Sequence, residues 1–112
     1  MTVAGGTAAA PERAWQDGVD VRSVAEACDG LCVLGYTNDM DLLRADLKAY
    51  RALLPKGRSL SVALRPMLPD CPSAEDVSRM VRIVGEFDPD WVDMYHYGLM
   101  RLSSLDWIKQ AL

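Results

Sequence analysis

Residues 59–70 read Ser59-Leu60-Ser61-Val62-Ala63-Leu64-Arg65-Pro66-Met67-Leu68-Pro69-Asp70. In an extended chain Leu60, Val62 and Leu64 fall on one side, and Ser61, Ala63 and Arg65 on the other. The prolines at 66, 69 and 72 keep the following residues out of a helix. The stretch is therefore a strand from Leu60 to Leu64, with one apolar face and one small or polar face, running into a loop.

Downstream, Ser73 with Asp76 three residues later has the form of a helix-capping pair, and Val77, Met80, Val81 and Val84 make an apolar stripe. Asp88-Pro89-Asp90 turns the chain into a strand from Trp91 to about Tyr97, which Gly98 releases. A last helix starts at Ser103 or Ser104 and is expected to bury Leu105, Ile108 and Leu112. Upstream, Gly30 and Gly35 bound an apolar run, Leu31 to Leu34, whose length favours a strand. Asn38 or Asp39 caps a helix in which Leu43, Leu47, Tyr50 and Leu54 line one face, and Pro55-Lys56-Gly57 stops it. Asp20 caps a shorter helix through Val21, Val24, Ala25 and Cys28. Residues 1–14, mostly Gly, Ala and Thr up to Pro11, read as a flexible leader, and residues 15–112 as a single α/β domain.

Strands beginning at Leu31, Leu60 and Trp91 lie about 30 residues apart, near the minimum for a strand–helix–strand unit. Three parallel strands alternating with helices follow, joined by right-handed crossovers. A sheet with helices on both faces wants continuous apolar runs in its central strands. Only the first strand has one. In the third, Val92 and Met94 alternate with Asp93, Tyr95 and Tyr97. One apolar and one polar face is the pattern of the wall of a (β/α)8 barrel. The alternative is a small flavodoxin-like three-layer sheet, because edge strands also alternate.

The 112 residues suffice for one domain, and half are hydrophobic while a quarter are charged, as in ordinary globular chains. A formal charge of −4 and the lack of any Lys or Arg block argue against nucleic-acid or anionic-membrane binding. No apolar run reaches the length of a membrane span, and the first residues lack the basic region of a signal peptide. Three cysteines without a CxxC pair suit reduced thiols, so a cytoplasmic location is expected. One histidine and these cysteines make no metal site, and no phosphate loop, dinucleotide fingerprint or GxSxG elbow occurs. No cofactor is expected.

Ligands of parallel sheets collect at the C-terminal strand ends. Those ends read Gly35-Tyr36-Thr37-Asn38-Asp39, Arg65-Pro66-Met67 and Tyr95-His96-Tyr97-Gly98. The candidate binding residues are therefore Tyr36, Asp39, Arg65, Tyr95, His96 and Tyr97. His96 can exchange a proton near neutral pH or donate to a hydroxyl, or be merely structural. Arg65 shares a strand face with Asp93, and the two read as an ion pair or as an anion clamp. Asp39 is most simply a helix cap. The three tyrosines form a stacking platform or belong to the core. Cys71 has no neighbouring cation to activate it and reads as an incidental thiol.

The stretch Asp90 to Leu112, DWVDMYHYGLMRLSSLDWIKQAL, resembles the last strand and closing helix of bacterial TIM-barrel proteins of the glycoside hydrolase kind. There an aromatic Y-x-Y-G ending precedes a Leu-Asp-containing helix. LSVALRPMLPD, residues 60–70, is similar to the penultimate strand and its loop. The resemblance implies that the chain corresponds to the last three β/α units of an eight-unit barrel, with a sugar-binding rim at its strand ends. It also implies acid/base and nucleophile carboxyls on the fourth and seventh strands. The seventh-strand end here reads Arg65-Pro66-Met67, with no carboxylate before Asp70, and no fourth strand exists. A module related to carbohydrate-processing enzymes, catalytically incomplete alone, is the first expectation. A non-catalytic ligand-binding or oligomerisation module is the alternative. Three strands leave two open edges, so association of copies through sheet edges or faces, or docking of a missing barrel segment, is expected.

Overall fold

The computed structural model describes residues 1–112. Four parallel strands, β1 (Thr2–Ala4), β2 (Gly30–Leu34), β3 (Ser59–Leu64) and β4 (Trp91–Met94), lie in the order β1-β2-β3-β4. Four helices alternate with them: α1 (Val21–Ala27), α2 (Met40–Leu53), α3 (Ala74–Gly85) and α4 (Leu102–Ala111). A 3₁₀ helix, Pro11–Gln16, precedes α1. No helix is long and apolar enough to cross a membrane. The helix starts follow from local chemistry. The side chains of Asp20, Asp39 and Ser73 each accept a backbone N–H of the first turn they cap.

The fourth strand corrects the expected count of three, and it comes from the leader. Thr2 and Val3 favour extended backbone, but three residues make a poor strand alone. Helix α2 supplies what they lack. The Tyr50 hydroxyl donates to the Ala4 carbonyl at 2.6 Å. The Asp46 carboxylate accepts the Gly6 and Ala9 N–H groups at 2.7 and 3.2 Å. Asp46 is only 3% exposed. Burial lifts its pKa above the ordinary carboxylate value, against the pull of these amides. Burial likewise pushes the Tyr50 phenol up to about 12, which keeps its proton in place for donation. Gly5 passes so close to β2 that a Cβ there would meet the Leu34 carbonyl oxygen at 2.3 Å.

The register aligns Val3 with Val33, Val33 with Val62 and Val62 with Val92. This valine row crosses the whole sheet on one face. Leu31, Leu60 and Leu64 share that face, where they form one core with Val21 and Ala25 of α1, Leu43, Leu47 and Tyr50 of α2, and Val77, Met80, Ile83 and Val84 of α3. The opposite face contributes nothing to that core. Its two rows are Thr2, Cys32, Ser61, Trp91 and Ala4, Leu34, Ala63, Asp93. Helices thus cover one face only, as sequential parallel neighbours joined by crossovers of one hand require. The flavodoxin-like arrangement, with helices on both faces, is not the one adopted.

Helix α4 turns differently from expectation. Its N-cap is Arg101, without a side-chain cap, and its inward residues are Ser104, Trp107 and Ala111. Leu105 is exposed, and Leu112 is 84% exposed. The small Ser104 lets α4 lie against α3, with its hydroxyl buried and unpartnered. Ile108 is half-buried.

Candidate functional site

At the C-terminal ends of β2, β3 and β4 the chain gathers Tyr36, Arg65, Tyr95 and His96. The rings of Tyr36 and Tyr95 stack, with centroids 5.7 Å apart and planes inclined by 27°. The Arg65 guanidinium carbon lies 4.9 Å from the Tyr36 centroid, within cation–π range. His96 meets Tyr95 edge-on at 4.6 Å. Strict alternation would separate Tyr95 from His96, but β4 ends at Met94 and the constraint ends with it.

Arg65 does not pair with Asp93. Its Nε and Nη2 donate to Asp70 Oδ2 and Oδ1 at 2.7 and 3.0 Å, a two-pronged charged contact. Asp70 is 4% exposed. The correction has a geometric cause. Asp93 lies level with Ala63, whereas Arg65 lies beyond the end of β3. The proline loop then folds back: Met67 N–H donates to the Arg65 carbonyl and Cys71 N–H to the Met67 carbonyl. That path delivers Asp70 to Arg65. The hydrogen bond that Arg65 donates to Asp70 raises the guanidinium pKa further, and burial raises that of the Tyr36 phenol, with Tyr95 adding to the shift and Arg65 opposing it.

Two of the six candidate residues stay outside the cluster. Asp39 is exposed and accepts the Asp41 and Leu42 N–H groups, both at 3.0 Å. Tyr97 is 72% exposed and makes no ring contact. Cys32 joins the site unforeseen, its sulfur 3.8 Å from Asp93 Oδ2 on the open sheet face. Its position in an apolar run carries no signal of that. Cys71 is buried against the Met80 sulfur at 3.0 Å, and burial, then Asp70, pushes its thiol up to about 12. Such a thiol is not a nucleophile at neutral pH.

The open sheet face below the cluster is a groove of about 430 Å³, lined by Cys32, Leu34, Tyr36, Ala63, Asp93 and Tyr95 among others. This falls within the size range of small-molecule sites. Asp93 alone among the three rim carboxylates has neither a cap nor an ion pair to satisfy. At the opposite, N-terminal end of the strands a cavity of about 450 Å³ is lined by Arg51, Lys56, Arg58 and Asp90. Three of those groups are engaged elsewhere: Arg58 with Asp29, Arg51 with the Asp88 carbonyl, and Asp90 with the Leu60 N–H.

Comparison of the chain with protein-family models, with characterised proteins and with solved structures finds no match to any of them.

Proposed function

We propose that the chain is one part of a (β/α)8-type wall, related to carbohydrate-processing barrels, that binds a sugar at its strand-end rim without hydrolysing it alone. The observation that carries this reading is the Asp70–Arg65–Tyr36–Tyr95 stack. A pyranose offers an apolar C–H face and a ring of hydroxyls. The exposed Tyr95 ring supplies a flat apolar surface for the first, and Tyr36 stiffens it from behind. Arg65 keeps N–H groups free after its two bonds to Asp70, and these donate to hydroxyls. His96 adds a donor or acceptor, and Asp93 accepts from the groove side.

Hydrolysis by the usual route needs two carboxyl groups, one acid and one nucleophile or base. Asp39 is committed to its cap and Asp70 to Arg65, which leaves Asp93 alone. The test is a titration with a panel of mono- and oligosaccharides, followed by aromatic-proton NMR, together with an assay on aryl glycosides. Shifts confined to the rings of Tyr36, Tyr95 and His96, about tenfold weaker binding in Tyr95→Ala, and no turnover are expected. No binding by any sugar at millimolar concentration overturns the reading.

A further inference from the structure

We propose that two copies of this chain join edge to edge, β4 of each pairing in parallel with β1 of the other, to close one eight-stranded barrel around a two-fold axis. The inference concerns assembly and stands whether or not the rim binds sugar.

Three observations meet in it. The first is topological. The sheet is all parallel, its strand order follows the chain, and its helices cover one face only. Such a sheet is extended by more of the same, curving with the helices outside. Closure at eight strands gives an interior that side chains just fill. This chain supplies four.

The second is the match between the two edges. β1 and β4 each carry a row of backbone groups with no strand beyond them. Because all strands run the same way, β1 of a second copy continues past β4 in the parallel sense already used inside the chain. Two such junctions, related by the two-fold axis, leave no edge anywhere, and a closed barrel is the one arrangement that removes edges altogether. Stacking two open faces against each other leaves all four edges bare.

The third is where apolar surface remains exposed. Met1 and Trp15 lie in the first unit, and Trp91, Tyr95, Tyr97, Leu99, Leu102, Leu105 and Leu112 in the last, while the middle of the chain exposes only Leu42 and Leu68. Exposed large side chains therefore gather at the two margins that edge-to-edge closure brings together. In the closed form the outer side of α4, with Leu102 and Leu105, packs against the first-unit helices of the other copy, much as α4 already packs on α3. The small rows of the open face, Thr2-Cys32-Ser61 and Ala4-Leu34-Ala63, become interior. Each copy brings its own Tyr36–Arg65–Tyr95 cluster and its Asp93 to a single shared mouth.

Light scattering on the full chain, from about 1 to 100 μM, tests the mass, and amide hydrogen exchange tests the junction. A particle of twice the 12.3 kDa chain mass is expected. Its β1 and β4 amides should exchange at least about tenfold more slowly than in the diluted monomer. Leu102→Lys and Leu105→Lys should each raise the concentration for half-dimerisation about tenfold or more with the circular dichroism unchanged, because both side chains are exposed in the single chain. Leu68→Lys, at an exposed leucine in the loop between β3 and α3, should leave it unchanged. A 12.3 kDa particle at the highest concentration overturns the proposal. So does a dimer whose β1 and β4 amides gain no protection, an open-ended ladder of larger species, or a dimer indifferent to both lysine variants.

Discussion

Replacing Asp46 by Ala should loosen the first strand from the rest of the sheet. The carboxylate accepts two N–H groups, from Gly6 and Ala9, one on each oxygen. Truncation leaves both donors facing a buried hole. A buried donor without a partner costs about 1–3 kcal/mol. Relief of the carboxylate's own desolvation and some entry of water offset part of this, giving about 2–4 kcal/mol in all. Asp46→Asn keeps only one acceptor oxygen and turns an NH₂ group toward the second amide, so it should not rescue. Urea unfolding measures the loss. Amide exchange locates it: the Cys32 N–H, bonded to the Met1 carbonyl at 2.8 Å, should lose protection, while the Leu60 N–H, bonded to Asp90, should keep it. The pH dependence carries a sign. The folded pKa of Asp46 is raised, so the folded state holds the proton over a window above the unfolded value of 3.8, where the unfolded state has released it. The stability gap between wild type and Asp46→Ala should therefore be widest at or below that value and narrow as pH rises through the folded pKa. A gap that widens with pH, or an unchanged urea midpoint with Cys32 still protected, refutes the reasoning.

The Arg65 assignment separates two carboxylates: Asp70→Ala should cost about 2–3 kcal/mol in urea, by leaving a partly buried guanidinium unpaired, whereas Asp93→Asn should cost about 0.5 or less. The reverse order would restore the cross-strand pairing with Asp93. Gly5→Ala should cost about 1–3 kcal/mol in thermal melts, because the added methyl meets the Leu34 carbonyl and pushes the chain off β2. Against a maleimide at pH 8, Cys71 should react far more slowly than Cys28 or Cys32, since it is buried with its thiol pushed up to about 12. Peptide mapping showing Cys71 labelled first would contradict its environment.

Those contrasts also mark where the sequence was legible. The starts of α1, α2 and α3 depend on a side chain and amides two or three residues away, so Asp20, Asp39 and Ser73 announce them. Strand faces depend on alternation, and Leu60, Val62 and Leu64 declare theirs. β1 was hidden because its anchors, Asp46 and Tyr50, lie some forty residues on and look like ordinary members of a helix. The partner of Arg65 was hidden because alternation assigns a face but not the point where a strand stops. The face of α4 is misleading because its large apolar residues, Leu105, Ile108 and Leu112, suggest the inward set, while close approach to α3 selects Ser104. Of the rim, Tyr36, Arg65, Tyr95 and His96 were foreseeable from strand ends alone. Asp39 and Tyr97 share that address and point elsewhere.

The anchoring of β1 by α2 also sets an order of events during folding. The seat of β1 consists of the edge of β2 and the turns of α2 that carry Asp46 and Tyr50. Neither exists until residues 30–53 have folded, so β1 is placed only after a stretch some thirty to fifty residues further along the chain. Until it docks, β2 presents a bare edge, the kind of surface through which chains misassemble. Pulsed hydrogen exchange during refolding should therefore find the Cys32 amide protected after the Gly35 amide, which bonds to the Ala63 carbonyl on the other side of the same strand. Simultaneous protection would mean that the strand arrives together with its seat.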